Sequence, residues 1–162
     1  MTRTTRRETE ISADPAVPMI TIVREFDAPG ERVHRAWTDP ELVAQWMGPK
    51  SLTMRIDTWD CRTGGSCRYT AIRAGEEVAG FFGAFHEVRP DRIVQTFTFE
   101  GDPDGVALET VWFEDLGDGR TRVRTQSLCD TFEGRDAFLS SGMDVGVNEG
   151  YDKLDELLAG QA

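Results

Sequence analysis

A general acid or base acting inside this chain has to come from Asp57, His86 or Glu109, the three ionisable side chains of interest on strand-like segments. Proton transfer needs such a group enclosed with its substrate. Asp57 shares parity with Trp59, which turns it toward the same face, although a solvated strand end fits it as well. His86, in "GAFHEV", alternates with Phe85 and falls on the opposite face. Glu109 shares parity with Val111, but it belongs to the block Glu100 to Asp118, which has seven acids and no Lys or Arg. His34 lies beside the apolar stripe of a short helical segment and reads as solvated. No Ser-His-Asp order, phosphate loop or dinucleotide fingerprint is present. The residues argue more for a container than for a catalyst.

A second candidate is "DCRTGGSCRY", Asp60 to Tyr69, where Cys61 and Cys67 flank a Gly-Gly pair. It could be a metal clip, a redox couple or a hairpin turn. With three cysteines, two histidines and no C-x-x-C pair, a zinc site is not expected, and no metal or cofactor is assigned. The acidic block lacks the spaced ligands and closing glutamate of a calcium loop and reads as a solvated face.

The elements that must position these groups follow from the patterning. The chain has 162 residues and a formal net charge of −11, enough for one domain with a sizeable core. So acidic a body repels phosphate backbones, and no basic stripe is present, so nucleic acid is excluded as a partner. No apolar run is long enough to span a membrane. The polar start resembles no signal peptide, which makes the cytoplasm the expected compartment. Residues 1–18 read as a flexible tail, and residues 19–160 as a single domain.

"MITIVREF" predicts a strand. "APGERVHRAWTD" predicts a short helix, and Asp39 with Pro40 and Glu41 predicts the capped start of a second. Further strands are predicted at Thr53–Cys61, Ser66–Arg73, Glu77–Val88, Arg92–Phe99, Val106–Glu114 and Thr121–Leu128. Short turns between them imply an antiparallel meander, with Asp118-Gly119 at the tip of the clearest hairpin. Leu139, Met143, Val147, Tyr151, Leu154 and Leu158 follow helical spacing, which predicts one long amphipathic helix from Arg135 to Leu158.

This order resembles the helix-grip fold of the START/Bet v 1-like superfamily. Four stretches resemble, more narrowly, the bacterial single-domain branch named after the activator of Hsp90 ATPase: "REFDAPGERVHRAWTDPELVAQWMGP", "DCRTGGSCRY", "GAFHEVRPDRIVQTF" and "RDAFLSSGMDVGVNEGYDKLDELLAG". With the hairpin "DLGDGRTRV" the likeness covers Met19 to Gly160. It implies an α+β fold, in which a curved antiparallel sheet of about seven strands wraps a long C-terminal helix and two short helices follow the first strand. The family's turn motif is matched by Asp60, Arg62, Gly64, Gly65 and Arg68, which identifies "DCRTGGSCRY" as a hairpin. A three-residue loop, Thr63 to Gly65, would set Cys61 opposite Cys67, Trp59 opposite Tyr69, and Asp60 opposite Arg68. Cys67 replaces the family's aromatic, a smaller group that enlarges any cavity there.

Gly142, Gly146 and Gly150 recur every four residues on the expected helix. Either the backbone approaches its neighbours closely there, or it leaves room for a guest. Facing it are expected Trp59, Tyr69, Phe85, Val111, Val123, Thr125 and Ser127. Trp37 and Trp46 would close one end, and Met143, Gly146, Val147 and Gly150 would form the helix side. Such a wall suits a hydrophobic small molecule. A noncatalytic binding module is therefore the first reading. A cyclase or lyase working on a polyketide-like substrate is the second, and it requires Asp57, His86 or Glu109 to reach the pocket with a perturbed pKa. The family name invites a third, a co-chaperone of Hsp90, although only about 18 residues precede the first strand, where the eukaryotic activators carry a separate domain. An exposed edge strand would offer a homodimer contact.

Overall fold

The computed structural model describes residues 8–160. The elements run β1 (Glu10–Ala13), β2 (Met19–Phe26), α1 (Gly30–Thr38), α2 (Pro40–Trp46), β3 (Thr53–Trp59), β4 (Ser66–Arg73), β5 (Glu76–Val88), β6 (Arg92–Phe99), β7 (Ala107–Gly117), β8 (Arg120–Leu128), α3 (Phe132–Ser140) and α4 (Met143–Gly160). Eight strands form one antiparallel sheet in the order β1-β2-β8-β7-β6-β5-β4-β3. Strands β3 to β8 are the expected meander, and β2 closes onto β8 through a continuous register from Met19–Leu128 to Phe26–Thr121.

Local chemistry explains the well-formed joints. The Asp39 side chain accepts from Glu41 N at 3.0 Å, and Pro40 at the first helical position gives up no hydrogen bond. Asp118 (φ 55°) and Gly119 (φ 71°) both adopt positive φ, as a two-residue turn between right-twisted strands requires. Arg24, on the inner side of β2, is fully buried, where it meets Asp155 of α4 and donates to Thr9 at 3.0 Å.

Three expectations are corrected. Residues 10–13 are not tail but β1, paired with β2 from Glu10–Val23 to Ala13–Ile20. "DPAVP" forms the turn between them, with the Asp14 carboxylate accepting from Ala16 N at 2.7 Å and Val17 N at 3.2 Å. The part of the expected tail before residue 8 lies outside the described residues. Second, the single C-terminal helix is two helices. Gly142 sits at φ +88°, a left-handed conformation that ends one helix and starts another.

The third correction concerns the "DCRTGGSCRY" hairpin, whose register differs from expectation. Trp59 pairs with Cys67, Thr58 with Arg68 and Ile56 with Tyr69, and a bulge falls between Ile56 and Thr58. The turn is correspondingly longer, held by Asp60 N to Ser66 O at 2.9 Å and Gly65 N to Arg62 O at 2.8 Å. Arg68 bonds Asp57 and Glu100 rather than Asp60, which takes Arg62.

The core lies between the sheet's inner face and α1, α2 and α4. Phe26, Trp37, Trp46, Phe113 and Tyr151 form one aromatic cluster, with the Trp37 and Trp46 ring centroids 4.6 Å apart. Trp46 Nε1 donates to Ala36 O at 2.8 Å, and Trp59 Nε1 to Thr38 O at 2.7 Å. These tryptophans are packed and polar-satisfied, as buried indoles must be.

Candidate functional site

The sheet's inner face is organised in cross-strand rows, because directly opposed residues of neighbouring strands point the same way. One row sets Gln95 of β6 opposite Glu109 of β7, and Glu109 opposite Ser127 of β8. Toward the molecule's interior the next row is Ile93, Val111 and Thr125; outward, Phe97 stands opposite Ala107. No register shift interrupts β6 and β7 there, so Glu109 points the same way as Ala107.

That outward row is the wall of a cleft. An open, largely apolar hollow of about 720 Å³ lies between β5 and β6, the β6–β7 loop and α3. Phe81, Phe97, Phe99, Val106, Ala107, Ala137 and Phe138 provide its greasy lining, together with Cys129. Phe81 stacks on Phe97 at 5.5 Å and on Tyr69 at 5.2 Å, and Phe97 meets Phe138 at 6.1 Å. The helix break at Gly142 lets α3 leave the line of α4 and cover this end of the sheet.

Glu109 sits one row below the wall. Its Oε2 accepts from the Ser127 hydroxyl at 2.6 Å, and Oε1 receives a long contact from Gln95 Nε2 at 3.4 Å. Protein surrounds the carboxyl, although the residue as a whole is only partly buried. Desolvation raises its pKa, against the lowering effect of the Ser127 and Gln95 hydrogen bonds. The same burial pushes the Tyr69 phenol well above its ordinary range, and the Cys67 thiol to about 11. A carboxyl held toward its neutral form, with an unsaturated Oε1, can donate to or accept from a polar group of a guest, and it can exchange a proton with one.

A pH dependence of stability follows. Glu109 binds its proton more tightly in the folded chain than in the unfolded one. Its contribution is therefore complete below the ordinary value of 4.5 and is lost as pH rises through the raised value. Glu109→Gln stays neutral throughout. Its melting temperature relative to the parent protein should thus climb between pH 4 and pH 7, by scanning calorimetry. A difference that does not change with pH would show that the carboxyl is not desolvated.

The other two acid–base candidates stand elsewhere. The bulge after Ile56 turns Asp57 to the outer face, away from Trp59. There the Thr70 hydroxyl, then Arg55 and Arg68, lower its pKa. His86 is exposed on the outer face, as its alternation with Phe85 predicts.

The residues expected to line a pocket are divided by the structure. Trp37 and Trp46 belong to the packed aromatic cluster, and Trp59 packs edge-on against Phe85 at 5.6 Å. Gly150 serves close packing, since a Cβ there would meet Trp46 O at 3.0 Å; a Cβ at Gly146 would meet Pro49 Cδ at 3.6 Å. Met143 and Val147 pack on the same core cluster, as do Val111, Val123 and Phe85. Ser127 bonds Glu109, whose charge acts on the Tyr69 phenol, and Tyr151 bonds Thr125. None of these thirteen is among the residues that line the cleft. The cleft's own aromatics are not among the expected lining residues, although "TFTF" at Thr96 to Phe99 puts Phe97 and Phe99 in alternation with Gln95. Among the described residues, no group of His, Cys, Asp and Glu is arranged to hold a metal ion, and no helix is long and apolar enough to cross a membrane.

A curved antiparallel sheet gripping a C-terminal helix, with two short helices after its first long strand and an open interior hollow, defines a helix-grip domain of the START/Bet v 1-like class. The chain belongs to the family of activator of Hsp90 ATPase homolog 1-like proteins, whose model matches residues 27–159. Solved structures similar to it include a crystal structure of a protein from Rhodobacter sphaeroides, with 24% identity over 94% of this chain and 99% of that one, and a TM-score of 0.84. A solution structure of a protein from Arthrobacter aurescens is 28% identical over 94% of this chain and 92% of its own, also with a TM-score of 0.84. A Mycobacterium smegmatis protein reaches the same TM-score at 23% identity, with coverage of 95% and 98%. No curated protein matches the chain.

Proposed function

We propose that the protein binds a hydrophobic small molecule in the cleft beneath α3 without transforming it. The supporting observation is the hollow itself. At about 720 Å³ it falls within the range of roughly 300–1,000 Å³ typical of small-molecule sites, and four phenylalanines line it. Native mass spectrometry of protein purified from its own host, followed by solvent extraction, should reveal a stoichiometric hydrophobic guest. Protein that comes out empty and also takes up 1-naphthalenemethanol without saturation would overturn the reading.

Ala137→Trp offers a sharper check. Ala137 lies on an exposed part of α3 and lines the cleft, so an indole there fills the hollow without disturbing the core. Binding of 1-naphthalenemethanol should weaken at least about thirty-fold by titration calorimetry, close to 2 kcal/mol, with the melting temperature nearly unchanged.

Glu109 supports a second reading, a cyclase- or lyase-like enzyme using the same space, because it is an enclosed carboxyl with a raised pKa. The two readings part at Glu109→Gln. An enzyme loses about 10²–10⁴-fold in turnover with its acid–base group, whereas a carrier changes only in affinity.

A further inference from the structure

We infer that the guest of this cleft is a hydrophobic cation, an apolar skeleton carrying an amine or quaternary ammonium group. This rests on the reading of the cleft as a ligand site and adds the chemical class. Every charged side chain lining the cleft is a carboxylate: Asp102 and Asp104 from the β6–β7 loop, Asp130 before α3, and Glu133 in its first turn. No Lys or Arg among the described residues lines it. None of these four acids is ion-paired with a described residue. On the sheet's outer face the pattern is the reverse, with Glu114 beside Arg122 and Arg124, and Glu87 beside Arg89 and Arg92. Arg135, the base within α3, is buried and held by the carbonyls of Asp14 and Met19 and by Asp136. Negative potential is therefore left uncompensated at a mouth with low-dielectric walls, which focus it.

The walls favour the same charge. Phe81 and Phe97 lie nearly parallel, and Phe99 and Phe138 close on them at 5.6 Å and 6.1 Å. Aromatic faces carry negative charge density that attracts a cation within about 6 Å. An aromatic hollow rimmed with carboxylates thus accepts an ammonium group. A fatty acid or phosphate ester would meet like charge at the rim, so it is selected against.

The test compares three guests of similar shape in 150 mM salt, where long-range attraction to the acidic body is screened: (1-naphthylmethyl)trimethylammonium, 1-naphthalenemethanol and 1-naphthylacetate. The ammonium ion should bind at least ten-fold tighter than the alcohol, with the acetate weakest. Replacing the rim acids together (Asp102→Asn, Asp104→Asn, Asp130→Asn, Glu133→Gln) should abolish that ranking while the alcohol still binds, which also shows that the variant is folded. A control removing four distant charges (Glu31→Gln, Glu41→Gln, Glu76→Gln, Asp118→Asn) should keep it. Equal binding of ammonium and alcohol, or a preference that survives loss of the rim acids, would overturn the inference and leave the cleft as a ligand site. Failure of all three guests to bind would remove both.

Discussion

Arg24→Ala is expected to lower stability by about 3–5 kcal/mol, one of the largest single losses available in this chain. Arg24 is 1% exposed, and its guanidinium contacts Asp155, lies 3.9 Å from Asp152 and donates to Thr9. It thereby ties β2 to α4 and to the segment entering β1. Removing it leaves the Asp152 and Asp155 carboxylates, neighbours on one face of α4, beside a hole the size of the side chain. Asp155 already has its pKa raised by desolvation, with Arg24 the main opposing influence. At roughly 2–4 °C per kcal/mol for a chain of this size, the melting temperature should fall by about 6–20 °C. Arg24→Met, which restores volume without charge, should recover part of the loss. A change under about 1 kcal/mol for Arg24→Ala would show that the buried cluster contributes little.

Gly65→Ala is expected to lose about 3 kcal/mol or more, although it adds a single methyl group. A Cβ at Gly65 would stand 1.9 Å from the carbonyl oxygen of Asp60. The obstacle is backbone, so no rotamer change relieves it. The turn cannot shift either, because Gly64 N donates to Phe85 O and Phe85 N to Gly65 O, both at 2.9 Å. Gly64→Ala is the natural comparison. Gly64 has φ +85° with nothing within 4 Å, so only conformational strain of about 1–2 kcal/mol applies. Denaturant melts should rank the parent protein, Gly64→Ala and Gly65→Ala in falling order. Equal losses at the two glycines would contradict the packing argument.

These glycines also show how far the sequence could be read. That "DCRTGGSCRY" is a hairpin was legible, because Gly-Gly between strand-like runs is turn chemistry with a physical cause. Its register was not. The bulge between Ile56 and Thr58 adds a residue to one strand, which reverses every inward and outward assignment beyond it. Asp57 consequently faces solvent while Trp59 faces the core, against their shared parity.

The C-terminal helix presents the same difficulty in another form. Leu139 to Leu158 keep helical spacing across Ser141 and Gly142, so periodicity alone cannot register a break where the backbone turns left-handed. That break brings α3 over the outer end of the sheet, and the cleft follows from it. Pocket residues chosen to face an unbroken helix therefore gathered at the tryptophan end, which the structure fills with side chains. Glu109 was legible as a candidate because it shares parity with Val111, and the unbroken β7–β8 register from Leu108 to Asp115 keeps that parity. Burial was the part that strand parity could not supply.

The central claim is that the guest enters beneath α3 and not at the tryptophan end. Methyl and aromatic chemical-shift mapping with saturating 1-naphthalenemethanol tests it most directly. The largest changes should fall on Phe97, Val106, Ala107, Ala137 and Phe138, with smaller ones at Tyr69. Shifts centred on Trp37, Trp46 and Val147, or changes spread thinly over the surface without saturation, would contradict it.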